Sequence, residues 1–180
     1  MINSRTVEHR TAVSNIKRRM NDNAMMYYFD DLNNGRKEFS VRNKNRRTTL
    51  QRKTYLATFS QSDLYERFLI LETFCAKDTF LSEQLEGIIR NKSGAVSAVE
   101  NESLINALVE LIKTELTPYF DIMTNEEFVE IKKLLETDIE ERRTSGGIGV
   151  RHSHTLAKLK ALLNVIDGRV SELEGCEESE

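Results

Sequence analysis

The stretch from Arg36 to Lys53 contains the residue types that most clearly suggest a chemistry. It holds one acid, Glu38, and eight cations, which are Arg36, Lys37, Arg42, Lys44, Arg46, Arg47, Arg52 and Lys53. Lys and Arg pair with phosphates, while the Thr, Asn and Gln side chains among them and the ring of Tyr55 offer hydrogen bonds and stacking. This composition predicts a surface for nucleic acid, either RNA or single-stranded DNA. No helix-turn-helix, zinc finger or aromatic RNA-binding strand accompanies it, so sequence-specific recognition is not predicted.

The distribution of charge allows a second interpretation of the same segment. The whole chain has 26 Lys and Arg against 29 Asp and Glu, a net charge of −3. Residues 1–60 hold 13 cations and 5 acids, a net +8, whereas residues 61–180 hold 13 cations and 24 acids, a net −11. The basic segment is therefore either a solvated loop or an arm that docks on an acidic protein surface, in its own chain or in a neighbouring copy.

A glycine-rich connection near the C-terminal third offers a further anion site. Gly146-Gly147-Ile148-Gly149 precedes Arg151, His152 and Ser153 at a predicted helix start, where backbone amides attract anions. The spacing meets neither the P-loop nor the dinucleotide fingerprint, so a flexible hinge is the favoured interpretation. A metal-independent nuclease could use His152 as a base and Arg142, Arg143 and Arg151 to stabilise a phosphate, although this spacing matches no signature.

The sequence predicts no metal site, no cofactor, no catalytic residue and no disulfide framework. His152 and His154 have no Cys, Asp or Glu ligand close by in sequence. Cys75 lies in an apolar segment and Cys176 in an acidic tail about 100 residues later. We expect Cys75 to pack as a small apolar residue.

One proline and eight glycines favour long helices over a turn-rich β fold. We expect an all-α protein, a helical bundle with a long N-terminal helix and a basic, partly irregular connecting segment. The first helix is predicted from Ser4 to Leu32, with Asn23 interrupting its apolar stripe. Residues 36–59 have the weakest helical pattern and permit a short hairpin or disorder.

The bundle is predicted from helical spacing in the rest of the chain. The divisions are 1–61 for the basic helix and arm, 62–174 for the bundle and 175–180 for an acidic tail. We expect five helices. They cover residues 62–77, a shorter helix from a cap at Asp78 or Thr79 to just before Asn91, and residues 95–116, 124–143 and 152–173, where the pattern of 95–116 permits a break near Asn101. Thr117-Pro118 is expected to stop the third of these, and Thr124 with Glu127 is typical of a capping box that opens the fourth.

The last predicted helix carries an apolar seam in 3-4-3-4-3 order, the spacing by which two helices mesh side chains. Its residues are Leu156, Leu159, Leu163, Ile166, Val170 and Leu173. The seam is shorter than a stable coiled coil needs, so packing within the bundle is favoured, with a homo-oligomer interface as the alternative.

No run of eighteen apolar residues occurs, and Met1 to Arg10 is charged where a signal peptide is apolar. We therefore expect an intracellular, cytoplasmic protein without membrane contact. The favoured function is non-enzymatic binding or assembly, in which the basic arm contacts nucleic acid and the bundle mediates self-association or partner docking. The alternatives are a protein-only adaptor or structural subunit that assembles through its oppositely charged halves, and a small metal-independent nuclease.

Overall fold

The computed structural model describes residues 4–33, 44–77, 79–92, 97–145 and 149–178. Within these ranges all regular structure is helical and no strand occurs, so the predicted all-α class is confirmed. A 3-10 turn at Ala98–Glu100 precedes the fifth of seven α-helices, which are α1 (Ser4–Asn33), α2 (Lys44–Ser60), α3 (Leu64–Ala76), α4 (Phe80–Lys92), α5 (Glu102–Phe120), α6 (Asn125–Thr144) and α7 (Val150–Glu178).

The chain forms two compact units, residues 1–70 and residues 71–180, which we call the N-terminal unit and the C-terminal unit. The boundary falls within α3. The N-terminal unit holds 14 Lys and Arg against 7 Asp and Glu, a net +7, and the C-terminal unit holds 12 against 22, a net −10. The charge asymmetry seen in the sequence therefore persists when the chain is divided by its packing.

The first helix of the N-terminal unit is confirmed at nearly the predicted bounds, and α1 packs on α2. Ala12 and Asn23 are buried on its inner face. The predicted stripe residues lie partly covered on the same side, and these are Val13, Ile16, Met20 and Tyr27. Burial of this one face holds a helix whose mean composition is polar, as is usual for helices stabilised by tertiary packing.

The second helix contradicts the prediction of a short hairpin or disorder for its residues, while residues 34–43 lie outside the described ranges. Thr54, Tyr55, Thr58 and Phe59 are buried, and their spacing is that of one helical face. The Thr54 hydroxyl donates to the Leu50 carbonyl at 2.8 Å and that of Thr58 to the Thr54 carbonyl at 2.7 Å. Packing and these local bonds outweigh the low helix propensity of threonine, which had favoured a strand.

Asn23 is a structural residue and does not interrupt α1. Its amide Nδ2 donates to Thr58 Oγ1 at 3.0 Å and to Gln61 Oε1 at 3.2 Å. A buried amide without partners would cost free energy, so these bonds allow a polar residue inside the α1–α2 interface. These two hydrogen bonds connect α1 to the C-terminal end of α2 and to the residue that follows it.

In the C-terminal unit, α7 packs against both α5 and α6, and α4 packs against α5. Fully buried side chains from these helices form its core, among them Leu85, Leu108, Ile112, Ile131, Leu135, Leu159 and Ile166. Cys75 is also fully buried, as predicted, and burial raises the pKa of its thiol. The predicted bundle is therefore confirmed in this unit.

The capping box is confirmed at the start of α6. The Thr124 hydroxyl accepts a hydrogen bond from the Glu127 amide at 3.2 Å, and the Glu127 carboxylate accepts one from the Thr124 amide at 3.1 Å. These two bonds satisfy amides that have no partner inside a helix. The helix then runs to Thr144, close to the predicted end.

The prediction that Thr117-Pro118 ends the preceding helix is wrong, because α5 continues to Phe120. Pro118 itself is exposed, whereas Tyr119 and Phe120 directly after it are buried. The ring of Tyr119 packs edge-on against Phe74 with centroids 5.2 Å apart, and Phe120 contacts Phe128. Burial of two aromatic side chains outweighs the cost of a proline in the last turn.

A buried acidic cluster joins α3 to α6 within the C-terminal unit. Arg142 Nε lies 2.8 Å from Asp138 Oδ2, and its Nη2 lies 3.7 Å from Glu72 Oε1. Glu72 Oε2 is buried without a hydrogen-bond partner among the described residues. Burial, followed by the hydrogen bond and repulsion from Asp138, raises the pKa of Glu72 to about 9, against the opposing effect of Arg142 and Lys77. The shift favours the neutral form of the Glu72 carboxyl in the folded protein.

In the described part of the chain, none of the helices has the length and hydropathy that a membrane crossing requires.

Replacement of Asn23 tests the polar contact inside the N-terminal unit. Asn23→Ala is expected to lower the free energy of unfolding by about 1–3 kcal/mol, because the buried Thr58 hydroxyl loses its donor. Asn21→Ala, an exposed position of the same helix, is the matched control and is expected to stay within about 0.5 kcal/mol. Urea unfolding followed by circular dichroism measures both, and equal effects of the two changes would contradict the structural role.

Replacement of Glu72 tests the buried acidic cluster through the pH dependence of stability. The pKa of Glu72 is higher in the folded protein than its ordinary 4.5, so the folded state binds this proton more tightly than the unfolded chain. The resulting stabilisation is complete below about pH 4.5 and is lost as the pH rises through about 9.

Glu72→Gln keeps a neutral side chain and is expected to remove this decline, with a gain on the order of a few kcal/mol over the parent protein at the alkaline end. Glu140→Gln, at an exposed position of α6, is the control that retains the decline. Thermal unfolding from about pH 5 to about pH 9 compares the three proteins. A decline in Glu72→Gln as steep as in the parent would show that Glu72 is charged in the fold.

Candidate nucleic-acid interface

The structure describes only part of the basic segment predicted to contact nucleic acid. Arg36, Lys37 and Arg42 lie outside the described ranges. The backbone at positions 44, 46 and 47 belongs to α2, but the side chains of Lys44, Arg46 and Arg47 are also outside the description. Arg52 and Lys53 are exposed on α2, and their role in binding stays a prediction.

Three further cations of the N-terminal unit lie on α1, where the sequence analysis did not place a site. Arg10, Lys17 and Arg18 are exposed. None of the three, and not Lys53 on α2, has a carboxylate within 4.0 Å among the described residues. The run Lys17-Arg18-Arg19 was a visible signal, but it lies outside the densest basic stretch.

Arg19 differs from its two neighbours because it is used by the fold. Its Nη1 lies 2.6 Å from Glu66 Oε1, and the Glu66 side chain is only 3% exposed. Burial alone would raise the pKa of Glu66, but hydrogen bonds from the Asp63 amide and from Arg19 outweigh it and hold the pKa below its usual value. Of the three cations in the run Lys17-Arg18-Arg19, Arg19 is therefore the one that is bound within the fold.

The solvent side of α1 combines cations with apolar side chains. Steps of seven and four residues bring positions 18, 25 and 29 to one side of the helix, over a length of about 16 Å. Met25 exposes 57% of its surface and Phe29 exposes 53%. Arg10 and Lys17 are also seven residues apart and therefore share a neighbouring side. Such a surface offers phosphate contacts and a flat ring together.

The aromatic residue that the sequence analysis assigned to stacking is not available for it. Tyr55 is 8% exposed in the N-terminal unit, and burial raises the pKa of its hydroxyl. This part of the prediction is wrong because Tyr55 lies on the inner face of α2. Among the described residues of α1, Phe29 has 53% of its surface exposed, and the sequence did not indicate this position.

The predicted seam of α7 packs inside the C-terminal unit. Four of its residues are buried, and these are Leu156, Leu159, Ile166 and Val170. Leu163 and Leu173 are half-buried. Since α7 contacts α5 and α6, this seam serves the core, while its role between copies of the chain stays a prediction.

Of the residues considered for a nuclease, Arg142 is used by the fold, while the roles of Arg143, Arg151 and His152 stay a prediction. Arg142 is bound to Asp138 and Glu72 and is therefore part of the fold. His154 Nδ1, and not His152, contacts a carboxylate, that of Glu86, at 2.6 Å. Ser153 contacts Ser97 through the two hydroxyl oxygens at 3.1 Å. Residues 146–148 of the glycine-rich connection lie outside the described ranges.

No protein-family model, curated protein or solved structure matches this chain.

The packing of the seam gives a prediction for two leucines of α7. Leu159→Ala is expected to lower the free energy of unfolding by about 2–5 kcal/mol, because it leaves a cavity in the core, and Leu163→Ala at a half-buried position is expected to cost less. Neither change is expected to alter the molar mass in analytical ultracentrifugation. A variant that loses mass at unchanged stability would show that the seam joins copies of the chain.

Proposed function

We propose that this chain is a non-enzymatic binding protein whose N-terminal unit contacts the backbone of single-stranded nucleic acid, while the C-terminal unit is an acidic helical body. The proposal is carried by one observation: exposed cations on α1 and α2 have no carboxylate partner among the described residues. They are Arg10, Lys17, Arg18 and Lys53. When such cations pair with the phosphates of a polyanion, the counterions condensed on the polyanion are released into solution, and this release favours binding.

The net charge of the unit supports the same function. At +7 for 70 residues, the N-terminal unit attracts polyanions over a distance comparable to the screening length of physiological salt. The described acid that is buried in this unit, Glu66, binds Arg19 and does not neutralise the exposed face. This net positive charge supports the proposal of an outside polyanion as the partner.

The exposed ring on α1 favours a single strand over a duplex. Bases of a single strand are unpaired and stack on flat side chains, at about 1–3 kcal/mol for each base. Phe29 lies on the same side of α1 as Arg18, so a strand could place phosphates on the cations and a base on the ring. The bases of a duplex are already stacked and would gain little from Phe29.

A salt titration tests this function on the full chain. Fluorescence anisotropy with a labelled single-stranded RNA measures affinity as a function of salt. The variant Arg10→Gln, Lys17→Gln, Arg18→Gln, Lys53→Gln is expected to bind at least about tenfold more weakly, and the slope of log affinity against log salt is expected to fall by about 3, at about 0.7 for each lost phosphate contact.

A matched variant removes the same number of charges from exposed positions of the C-terminal unit: Lys92→Gln, Lys113→Gln, Lys133→Gln and Arg143→Gln. It is expected to keep the affinity within about twofold, since these positions lie on the acidic unit. Equal losses in both variants would contradict a site on α1 and α2.

Other outcomes separate the two alternative functions. Unchanged RNA binding together with an altered oligomer mass in the N-terminal variant would favour the adaptor that assembles through charge. Cleavage of the labelled RNA during the titration would favour the nuclease. Either result overturns the proposal.

A further inference from the structure

A cavity of about 1090 Å³ opens in the C-terminal unit between α4 and α7, beside the C-terminal end of α3. We call it the α4–α7 groove. Four permanent cations line it, and these are Lys77, Arg90, Arg151 and Lys158, together with His154 and the acids Glu83 and Glu86. The described residues that line the groove all belong to the C-terminal unit, whereas the cations of the proposed nucleic-acid surface belong to the N-terminal unit.

The sign of the charge in the groove is the reverse of its surroundings. The C-terminal unit has a net charge of −10, yet four of its 12 Lys and Arg line this single cavity. Against two carboxylates they leave a local net charge of +2. Several cations that line one cavity of an acidic unit indicate a site for an anion, because stability of the fold does not require them to lie together.

Glu86 lines the groove and binds two of its other lining side chains. Its carboxylate contacts Lys158 Nζ at 2.8 Å through one oxygen and His154 Nδ1 at 2.6 Å through the other. The Lys158 side chain is only 8% exposed, so this charge is held in place by its partner. Burial raises the pKa of Glu86, but the hydrogen bonds from Lys158 and His154 outweigh burial and lower it below the usual value.

The contact with Glu86 determines which ring nitrogen of His154 is left to bind a ligand. With Nδ1 on Glu86, the ring presents Nε2 as its other hydrogen-bonding atom. The contact also fixes the plane of the ring, which lowers the entropy lost on binding. His154 and Lys158 are four residues apart on α7 and therefore face Glu86 from the same side of the helix.

Two of the lining cations form no ion pair among the described residues. Arg151 and Lys77 are exposed and have no carboxylate within 4.0 Å among the described residues. Arg90 is 75% exposed and its Nε lies 3.8 Å from Glu86 Oε1. Arginine binds phosphate through two parallel hydrogen bonds, which suits Arg151 at the rim of a cavity.

We propose that the α4–α7 groove binds a phosphomonoester of about nucleotide size, with the phosphate held by Arg151 and Lys77. The charge of such a phosphate, about −2, matches the local +2. The cavity is larger than a phosphate ion requires and lies just above the range of small-molecule sites, which is about 300–1,000 Å³. Its lining of charged and hydroxyl side chains disfavours an apolar ligand. The phosphate could belong to a free nucleotide or to the 5′ end of a strand.

Calorimetric titration of the full chain with adenosine 5′-monophosphate (AMP) tests this site. AMP is expected to bind at least about tenfold more tightly than adenosine, and Arg151→Gln is expected to weaken AMP binding about tenfold, the effect of losing one charge-assisted contact. Lys113→Gln, an exposed position of α5, is the control and is expected to leave affinity within about twofold. Thermal unfolding checks that each variant folds.

The source of the phosphate is distinguished by a second titration with a short RNA that carries either a 5′-phosphate or a 5′-hydroxyl. If only the phosphorylated strand binds the groove, Arg151→Gln removes the difference between the two strands, and the proposed site stands with a strand end as its ligand.

Three results would overturn the groove site. They are no binding of AMP or of the 5′-phosphorylated strand at about 1 mM, equal affinity for AMP and adenosine with no preference for the phosphorylated strand, or equal losses in Arg151→Gln and Lys113→Gln. The variant with four neutralised residues on α1 and α2 is expected to bind AMP normally. A failure of RNA binding and a failure of this site are therefore separate outcomes.

Discussion

A charged side chain loses its hydration when it is buried, and it then needs an opposite charge close by. This constraint separates the cations that form ion pairs inside the fold from the cations that are exposed to solvent. Arg19 meets Glu66, Arg142 meets Asp138, and Lys158 meets Glu86, each within 2.8 Å. The exposed cations of α1 and α2 stay in water, where a surface ion pair would contribute little.

The helix α7 contributes both to the core and to the lining of the α4–α7 groove. Its apolar side, with Leu159 and Ile166 fully buried, packs on α5 and α6. Its first turns place Arg151, His154 and Lys158 along the groove opposite α4. Because the apolar side fixes the rotation of the helix, the same packing fixes the direction of the polar side chains. The position of the groove side chains on α7 therefore depends on how the core packs, although these side chains are not part of the apolar core.

Much of the fold followed from the sequence because its signals were local. The spacing of apolar residues predicted the first helix, Thr124 with Glu127 predicted the start of α6, and Cys75 packs as expected. The errors came where distant contacts decide the conformation. Nothing near Thr58 in sequence shows that it is buried against Asn23, and nothing near Pro118 shows that Phe120 contacts Phe128.

The candidate sites were less predictable, since they need residues from several helices. The densest basic run identified the N-terminal unit as the cationic part. The exposure of Arg10 and Phe29 could not be predicted, because it depends on which side of α1 faces solvent. The groove was not foreseen, because Glu86 and His154 are 68 residues apart in sequence and meet only in the folded unit.

The central claim is that exposed cations of the N-terminal unit contact nucleic acid, and lysine footprinting tests it most directly. The full chain is acetylated with and without a saturating single-stranded RNA, and mass spectrometry follows each lysine. The account predicts that Lys17 and Lys53 react several-fold more slowly when RNA is bound, while Lys113 and Lys133 in the C-terminal unit react at unchanged rates. Unchanged reaction of Lys17 and Lys53 in the presence of bound RNA would contradict it.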